Sequence, residues 1–321
     1  MIEIDGLEKK FGPFTAVDRI SFSVGKGEVL GFLGPNGAGK STTMKMVTGF
    51  LAPTAGRISV CGHEVGPDTL AAQRMIGYLP EGAPAYADMT ALQFLRFIAD
   101  IRALKGAAAE AAITRAVERT EIGGVLEQSI DTLSKGFRRR VGLAQAILHD
   151  PPVLIMDEPT DGLDPNQKFA VRKLIAEMAP TKAIIISTHI LEEVDAICSR
   201  ALIIDRGRIV ADGTPAALTA RSRYHNAVTV TLDAADAEAA RAALSALSGV
   251  ASIEEDRRGG DQTFTLFAED ASEMDTSLVD TVANLAREKG WNVRSLYGEP
   301  GRLDEVFRSL TRPDTERESA A

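Results

Sequence analysis

Cysteine is nearly missing from this 321-residue chain: Cys61 and Cys198 are its only two. They make no disulfide framework and no zinc spacing, which suits a reducing compartment. Basic charge is also short, with 36 Lys and Arg against 45 Asp and Glu, a formal net charge of −9 and a pI near 5.1. No basic stripe dominates and no aromatics interleave the Lys/Arg runs, which argues against a nucleic-acid partner. The densest basic cluster, Arg138, Arg139 and Arg140, reads as a solvated helix face. No run of about 18 uncharged apolar residues is available to cross a bilayer, and the start M-I-E-I-D-G-L lacks a basic head and apolar core. The chain is therefore expected to be cytoplasmic and soluble by itself. Hydrophobic residues make up 45% of it, enough for the cores of one large domain and one small one.

One stretch organises the rest, Glu28 to Thr43, E-V-L-G-F-L-G-P-N-G-A-G-K-S-T-T. Val29, Leu30, Phe32 and Leu33 predict a buried strand. Gly34, Pro35, Asn36, Gly37, Ala38 and Gly39 then form a turn that continues neither strand nor helix. Lys40, Ser41 and Thr42 open the helix that follows. This is G-x-x-x-x-G-K-S between a strand and a helix, the setting it requires. Backbone N–H groups and the positive helix end would hold a polyphosphate, with Lys40 on the terminal phosphates and Ser41 on Mg²⁺.

Ahead of the loop, residues 2–24 alternate as antiparallel strands. Phe11, just before the turn at Gly12-Pro13, is placed to stack on a purine or to anchor its loop, with the two readings about even. After the first helix come two short strands within Gly49–Gly66, then the strand and polar loop I-G-Y-L-P-E-G. Helical periods follow at Leu92, Leu95 and Ile98, and at Ile113 and Val117. A further helix after Asp131–Gly136 carries Val141, Leu143, Ala144, Ile147 and Leu148 on its buried face. Residues 85–150 thus form a helical insertion in an α/β sheet.

V-L-I-M-D-E-P-T, beginning at Val153, describes a central strand buried on both faces, with Asp157 and Glu158 at its carboxyl end. Charge there is costly unless it is used or paired. Adjacent strand residues face opposite ways, so one ion-pair partner could not satisfy both. Asp157 would take Mg²⁺ through water, and Glu158 would orient and deprotonate an attacking water. A second buried strand, Ala183–His189, ends on His189, which could bond a γ-phosphate oxygen.

With these five pieces in order, residues 1 to about 215 resemble the ATPase subunit of ABC transporters. Gly34–Thr42 matches Walker A, and Phe11 and Val17 fall where nucleotide contacts are expected. Val153–Glu158 matches Walker B with its catalytic glutamate. Leu133, Ser134, Lys135, Gly136 and Phe137 stand in the signature motif, Thr160–Pro165 with Leu163 and Asp164 in the D-loop, and His189 in the switch position. Three positions depart from the commonest pattern: L-S-K-G-F for L-S-G-G-Q, Glu81 for Gln, and Phe11 for Tyr. A carboxylate at Glu81 can still ligate Mg²⁺, but it adds negative charge beside a triphosphate.

The resemblance implies an α/β P-loop NTPase fold of ABC cassette type, a mixed sheet with an antiparallel β subdomain and a helical insertion. It implies binding and hydrolysis of ATP with Mg²⁺. Each ATP would be gripped between Walker A of one chain and the signature of another, so the resemblance implies a second ATPase subunit as partner, expected as a homodimer. The other partner is a separately encoded membrane permease that would hold the chain peripherally on the inner face of the membrane. After a linker at 216–224, the order βαββαβ over 225–311 predicts a small α+β ferredoxin-like accessory domain, with a disordered tail at 312–321. Its L-D-E-V-F-R-S-L stretch resembles the end of accessory domains on exporter-type subunits, whose cargo would be hydrophobic or drug-like. Two other classes compete. A soluble ABC-type ATPase acting on ribosomes or DNA usually has two cassettes or a coiled-coil insertion, and neither is present. A nucleotide sensor without catalysis would not need Glu158 and His189.

Overall fold

Runs of Val, Ile and Leu bounded by Gly and Pro become the central strands, because β-branched residues pack well on a pleated surface covered on both faces. The computed structural model describes residues 1–82, 86–268 and 276–311. The tail expected at 312–321 lies outside the described residues. The chain divides into two units, Met1–Pro215 with the chain end from Leu310, and Ala216–Ser309.

The first unit opens with β1 (Ile2–Phe11) and β2 (Phe14–Val24), paired antiparallel. β3 (Val29–Leu33), buried at every position, leads into α1 (Lys40–Val47). β4 (Ala55–Val60) and β5 (His63–Glu64) complete an antiparallel sheet ordered β2-β1-β4-β5. Next come α2 (Thr69–Arg74), β6 (Ile76–Leu79), α3 (Ala91–Ile101), α4 (Gly106–Thr120) and α5 (Lys135–Ile147). A capping box of Thr90 and Gln93 starts α3. Then β7 (Val153–Asp157), α6 (Pro165–Met178), β8 (Ala183–Thr188), α7 (Leu191–Ile197), β9 (Arg200–Asp205) and β10 (Arg208–Gly213) follow.

The second sheet runs β10-β9-β3-β8-β7-β6, with β10 antiparallel at one edge and the other five strands parallel. Parallel strands end along one side of a sheet, so the loops after β3, β6, β7 and β8 leave together. This mixed sheet, the antiparallel sheet and the helices make the P-loop cassette that the sequence predicts. One core, including Ile4, Val24, Phe32, Met44, Ile155, Ile185 and Leu202, joins both sheets to α1.

After α8 (Pro215–Thr219) the second unit contains β11 (Val228–Asp233), α9 (Ala237–Ser245), β12 (Val250–Arg258), β13 (Asp261–Ala268), α10 (Thr276–Lys289), β14 (Val293–Gly298) and α11 (Leu303–Leu310). Its sheet is antiparallel in the order β12-β13-β11-β14. The alternating Val228, Val230 and Leu232 face a core with Leu244, Phe264, Leu266 and Val282. Leu218, within the stretch read as a linker, is fully buried.

Candidate functional site

The loop after β3 is shaped by close packing as much as by any ligand. Gly39 adopts φ 110 as the residue before α1, and a Cβ there would lie 2.6 Å from the carbonyl oxygen of Ala16. A Cβ on Gly34 would collide with the carbonyl of Ile204. Gly37, at φ 75, has open space around it. The turn after β9 supports the loop from below: Gly207 N donates to Ala38 O at 2.9 Å, and Asp18 N to Gly207 O at 2.9 Å. Val17 is fully buried, packed against Gly39, while Phe11 stands about half exposed with Lys9 Nζ 5.1 Å over its ring.

Lys40 curls back inside this loop. Its ammonium donates to the carbonyls of Gly34 at 2.7 Å and Pro35 at 3.1 Å, and the side chain is buried. No acidic residue occupies the first turn of α1, so the positive end of the helix is left for an anion. The loop fits a polyphosphate on these grounds.

Opposite it, β7 ends at Asp157, which is buried. The two carboxylates are separated differently from the expectation of alternating strand faces. Glu158 lies beyond the strand in the left-handed region, φ 52, with its N–H donating to Ser187 O at 2.8 Å. That turn aims its carboxylate at the end of β8, where Glu158 Oε1 and His189 Nδ1 are 2.8 Å apart. The sequence places these two residues 31 positions apart; the parallel pairing of β7 with β8 brings them together.

Behind them lies a carboxylate that sequence reasoning did not single out. Glu193 on α7 is 1% exposed and accepts hydrogen bonds from the hydroxyls of Thr160 and of Thr188, the latter at 3.1 Å. Thr188 also accepts from Ile190 N at 3.0 Å. One buried anion thus ties the stretch after Glu158 to the residue before His189. Nearby, burial pushes the Cys198 thiol up to about 12, with Glu193 and Asp195 adding to the effect.

The arginine cluster corrects the expectation of a solvated face. Arg139 and Arg140 are buried and Arg138 half-buried. Arg138 donates to the carbonyls of Asp131 at 3.1 Å and Leu133 at 3.2 Å, and Arg140 to that of Glu121 at 3.0 Å while stacking on Phe137. Arg139 reaches Pro80 O at 2.8 Å and the carbonyls of Asp157 and Glu158. The buried face of α5 signalled this: Arg139 lies four residues before Leu143 and Arg140 four before Ala144.

Leu133 is buried, and the Ser134 hydroxyl caps α5 by accepting from Phe137 N at 3.3 Å. Lys135 bonds Asp161 at 2.7 Å, which holds the Asp161 carboxyl below its usual range. The stem of Lys135 crosses Gly162, and a Cβ on Gly136 would meet Gln167 of α6 at 2.6 Å. Asp164 caps α6 by accepting from Gln167 N at 2.9 Å, and Leu163 is buried. Signature and D-loop candidates of one chain are therefore packed on each other. Glu81 is exposed, two residues past the end of β6.

Among the described residues no three His, Cys, Asp or Glu gather into a metal cage. Ser41 at the start of α1, Asp157 at the end of β7 and Glu81 in the loop after β6 offer hard oxygen ligands, a donor set that suits Mg²⁺ shared with phosphate oxygens. A glycine-bearing loop leading to a helix with a buried lysine, in one sheet with a strand ending on a carboxylate, defines the P-loop fold of the cassette type.

Comparison with known proteins gives the family. Residues 17–161 match the model described as ABC transporter. A Nod factor export ATP-binding protein I of Paraburkholderia xenovorans is 38% identical over 220 residues, 68% of this chain and 72% of that protein. A linearmycin resistance ATP-binding protein of Bacillus subtilis is 38% identical over 225 residues, 69% of this chain and 71% of that protein. A probable multidrug ABC transporter ATP-binding protein of Escherichia coli is 37% identical over 223 residues, and this match spans only 38% of its length. A solved ATP-binding subunit of an ABC transporter superposes with TM-score 0.64 at 30% identity, covering 68% of this chain and 91% of that one. A dimeric cassette in a post-hydrolysis state with ADP and Pi shares the fold, TM-score 0.63 at 20% identity, covering 67% of this chain and 99% of that one. The chain belongs to the ABC transporter family.

No helix among the described residues is long and apolar enough to cross a membrane.

Proposed function

We propose that this chain hydrolyses ATP to drive a separate membrane permease that exports hydrophobic or drug-like compounds. The observation that carries the proposal is the convergence of four loops, those after β3, β6, β7 and β8, on one edge of the parallel sheet, with Glu158 and His189 in direct contact. The relatives' names, multidrug, linearmycin resistance and Nod factor export, support the export direction and the cargo class.

In this reading Gly34–Thr42 binds the phosphates through backbone N–H groups, and Lys40 exchanges its contacts with Gly34 and Pro35 for phosphate oxygens. Phe11 stacks on the base. Glu158 takes the proton of the attacking water, and His189 holds Glu158 in orientation and bonds the γ-phosphate. Ser41, Asp157 and Glu81 would hold Mg²⁺, which when bound supplies neutralisation of phosphate charge. Ser134 and Gly136 act on the ATP of a second copy; on their own chain Ser134 caps α5 and Gly136 lies against Leu163 and Gln167. Residues 225–311, with no catalytic constellation, serve regulation or dimer contact.

Glu158→Gln tests the catalytic assignment. Removing the proton acceptor while keeping its shape should lower ATP turnover by at least about a hundredfold and leave nucleotide affinity within about threefold. Undiminished turnover would remove Glu158 from the role of base. Co-purification with an integral membrane protein tests the transport assignment, and a soluble ATPase would show none.

A further inference from the structure

Three carboxylates, Asp157, Glu158 and Glu81, border the place where the nucleotide reading puts an even more negative triphosphate. Anions gathered this way repel one another and the ligand unless a cation lies among them. Lys40 serves the phosphate loop itself. A second buried cation among the described residues is Arg139, 5% exposed and donating to Pro80 O, one residue before Glu81, and to the carbonyls of Asp157 and Glu158.

Arg139 has an unusual set of partners for a buried charge. Among the described residues every hydrogen bond it makes goes to a backbone carbonyl, and no salt bridge includes it. Burial lowers its affinity for a proton, and the charges of Asp157, Asp161, Glu158 and Glu81 oppose that effect. Guanidinium remains protonated under such conditions. A neighbouring group senses the same field: the Tyr78 phenol is pushed up to about 12 by burial, then by Asp157 and Glu81, with Arg139 acting the other way. A carbonyl clamp alone could be built from a neutral donor, whereas a guanidinium brings a full positive charge into a site ringed by carboxylates.

The geometry points to Arg139 as an electrostatic positioning residue: it clamps the loop bearing Glu81 to the end of β7 and offsets that loop's carboxylate, so that the site accepts a nucleoside triphosphate. This rests on the nucleotide reading above and adds to it a residue outside the phosphate loop that tunes affinity for the triphosphate. The charge matters most before any divalent cation arrives, when phosphate and carboxylates meet unscreened.

The test measures equilibrium binding of ATP to the full chain without divalent cation, in EDTA, together with thermal melting of the ligand-free protein. Binding by the wild-type chain establishes the nucleotide reading separately, and its absence there would count against that reading rather than against Arg139. Arg139→Gln should weaken binding by at least about tenfold, which is what a unit-charge interaction is worth at about 12 Å and an effective dielectric constant of about 20. Adding Glu81→Gln to Arg139→Gln should recover most of the lost affinity, while melting, set by the carbonyl bonds, should stay low. Arg139→Lys keeps the charge without the fork, and should bind nearly as wild type while melting lower. A loss in Arg139→Gln that the added Glu81→Gln does not relieve, or wild-type affinity in Arg139→Gln, would overturn the proposal. Should Arg139→Gln fail to fold, Arg139→Lys decides: affinity lost from a folded Lys variant would make the role purely structural.

Discussion

Glu193 gives the sharpest test of how the site is held. Its carboxylate is sealed from solvent and accepts from two hydroxyls, those of Thr160 and Thr188. A hydrogen bond to a charged group contributes about 1.5–3 kcal/mol net, and stranded hydroxyls add a desolvation cost. Against this, truncation releases the cost of keeping a buried anion. Glu193→Ala should therefore destabilise the first unit by about 2–4 kcal/mol. Glu193→Gln retains one accepting oxygen, and Thr188 can turn to accept from the new amide, so about 1 kcal/mol is expected. Urea unfolding at pH 7.5, fitted for the midpoint and slope of each variant, reads both values. Because Thr188 precedes His189 and Thr160 precedes Asp161, ATP turnover of the folded Ala variant should also fall, with nucleotide affinity less affected. An Ala variant within about 0.5 kcal/mol of wild type, or a Gln variant as damaged as Ala, would refute the reasoning.

Two further outcomes follow from other buried or bridging groups. His149 is held down to about 4, chiefly by burial and then by Arg102; as pH drops below about 6.5 the unfolded chain takes up a proton that the folded one refuses. Stability is thus complete above that pH and declines toward pH 4, by about 2 kcal/mol for a half-buried ring, a slope that His149→Gln should flatten in denaturation curves at pH 7 and 5. The pair Lys135–Asp161 has both side chains largely exposed, so Lys135→Ala should change stability by less than about 1 kcal/mol; a larger loss in melting experiments would show a buried role instead.

The phosphate loop, β7 and β8 were legible because their signals are local: a glycine-bearing turn between a strand and a helix, and apolar runs that stop at a polar residue. What was not legible depended on sheet order and on burial. Composition alone makes an Arg triplet a surface feature, and it took the apolar face of α5 to bury Arg139. Glu193 reads as one acid in L-E-E-V-D, and only the packing of α7 beside β8 turns it into an acceptor for two threonines. The direct contact of Glu158 with His189 needed the left-handed turn at Glu158, a backbone feature no periodicity encodes.

In the proposed function each chain holds two incomplete halves of an ATP site, which join only when nucleotide draws two copies together. Sedimentation velocity of the hydrolysis-deficient Glu158→Gln chain, with and without saturating Mg-ATP, measures this directly. The account predicts a monomer that becomes a dimer on adding Mg-ATP and reverts when ATP is replaced by ADP. A species that stays monomeric in saturating Mg-ATP, alone and with its membrane companion, would contradict it.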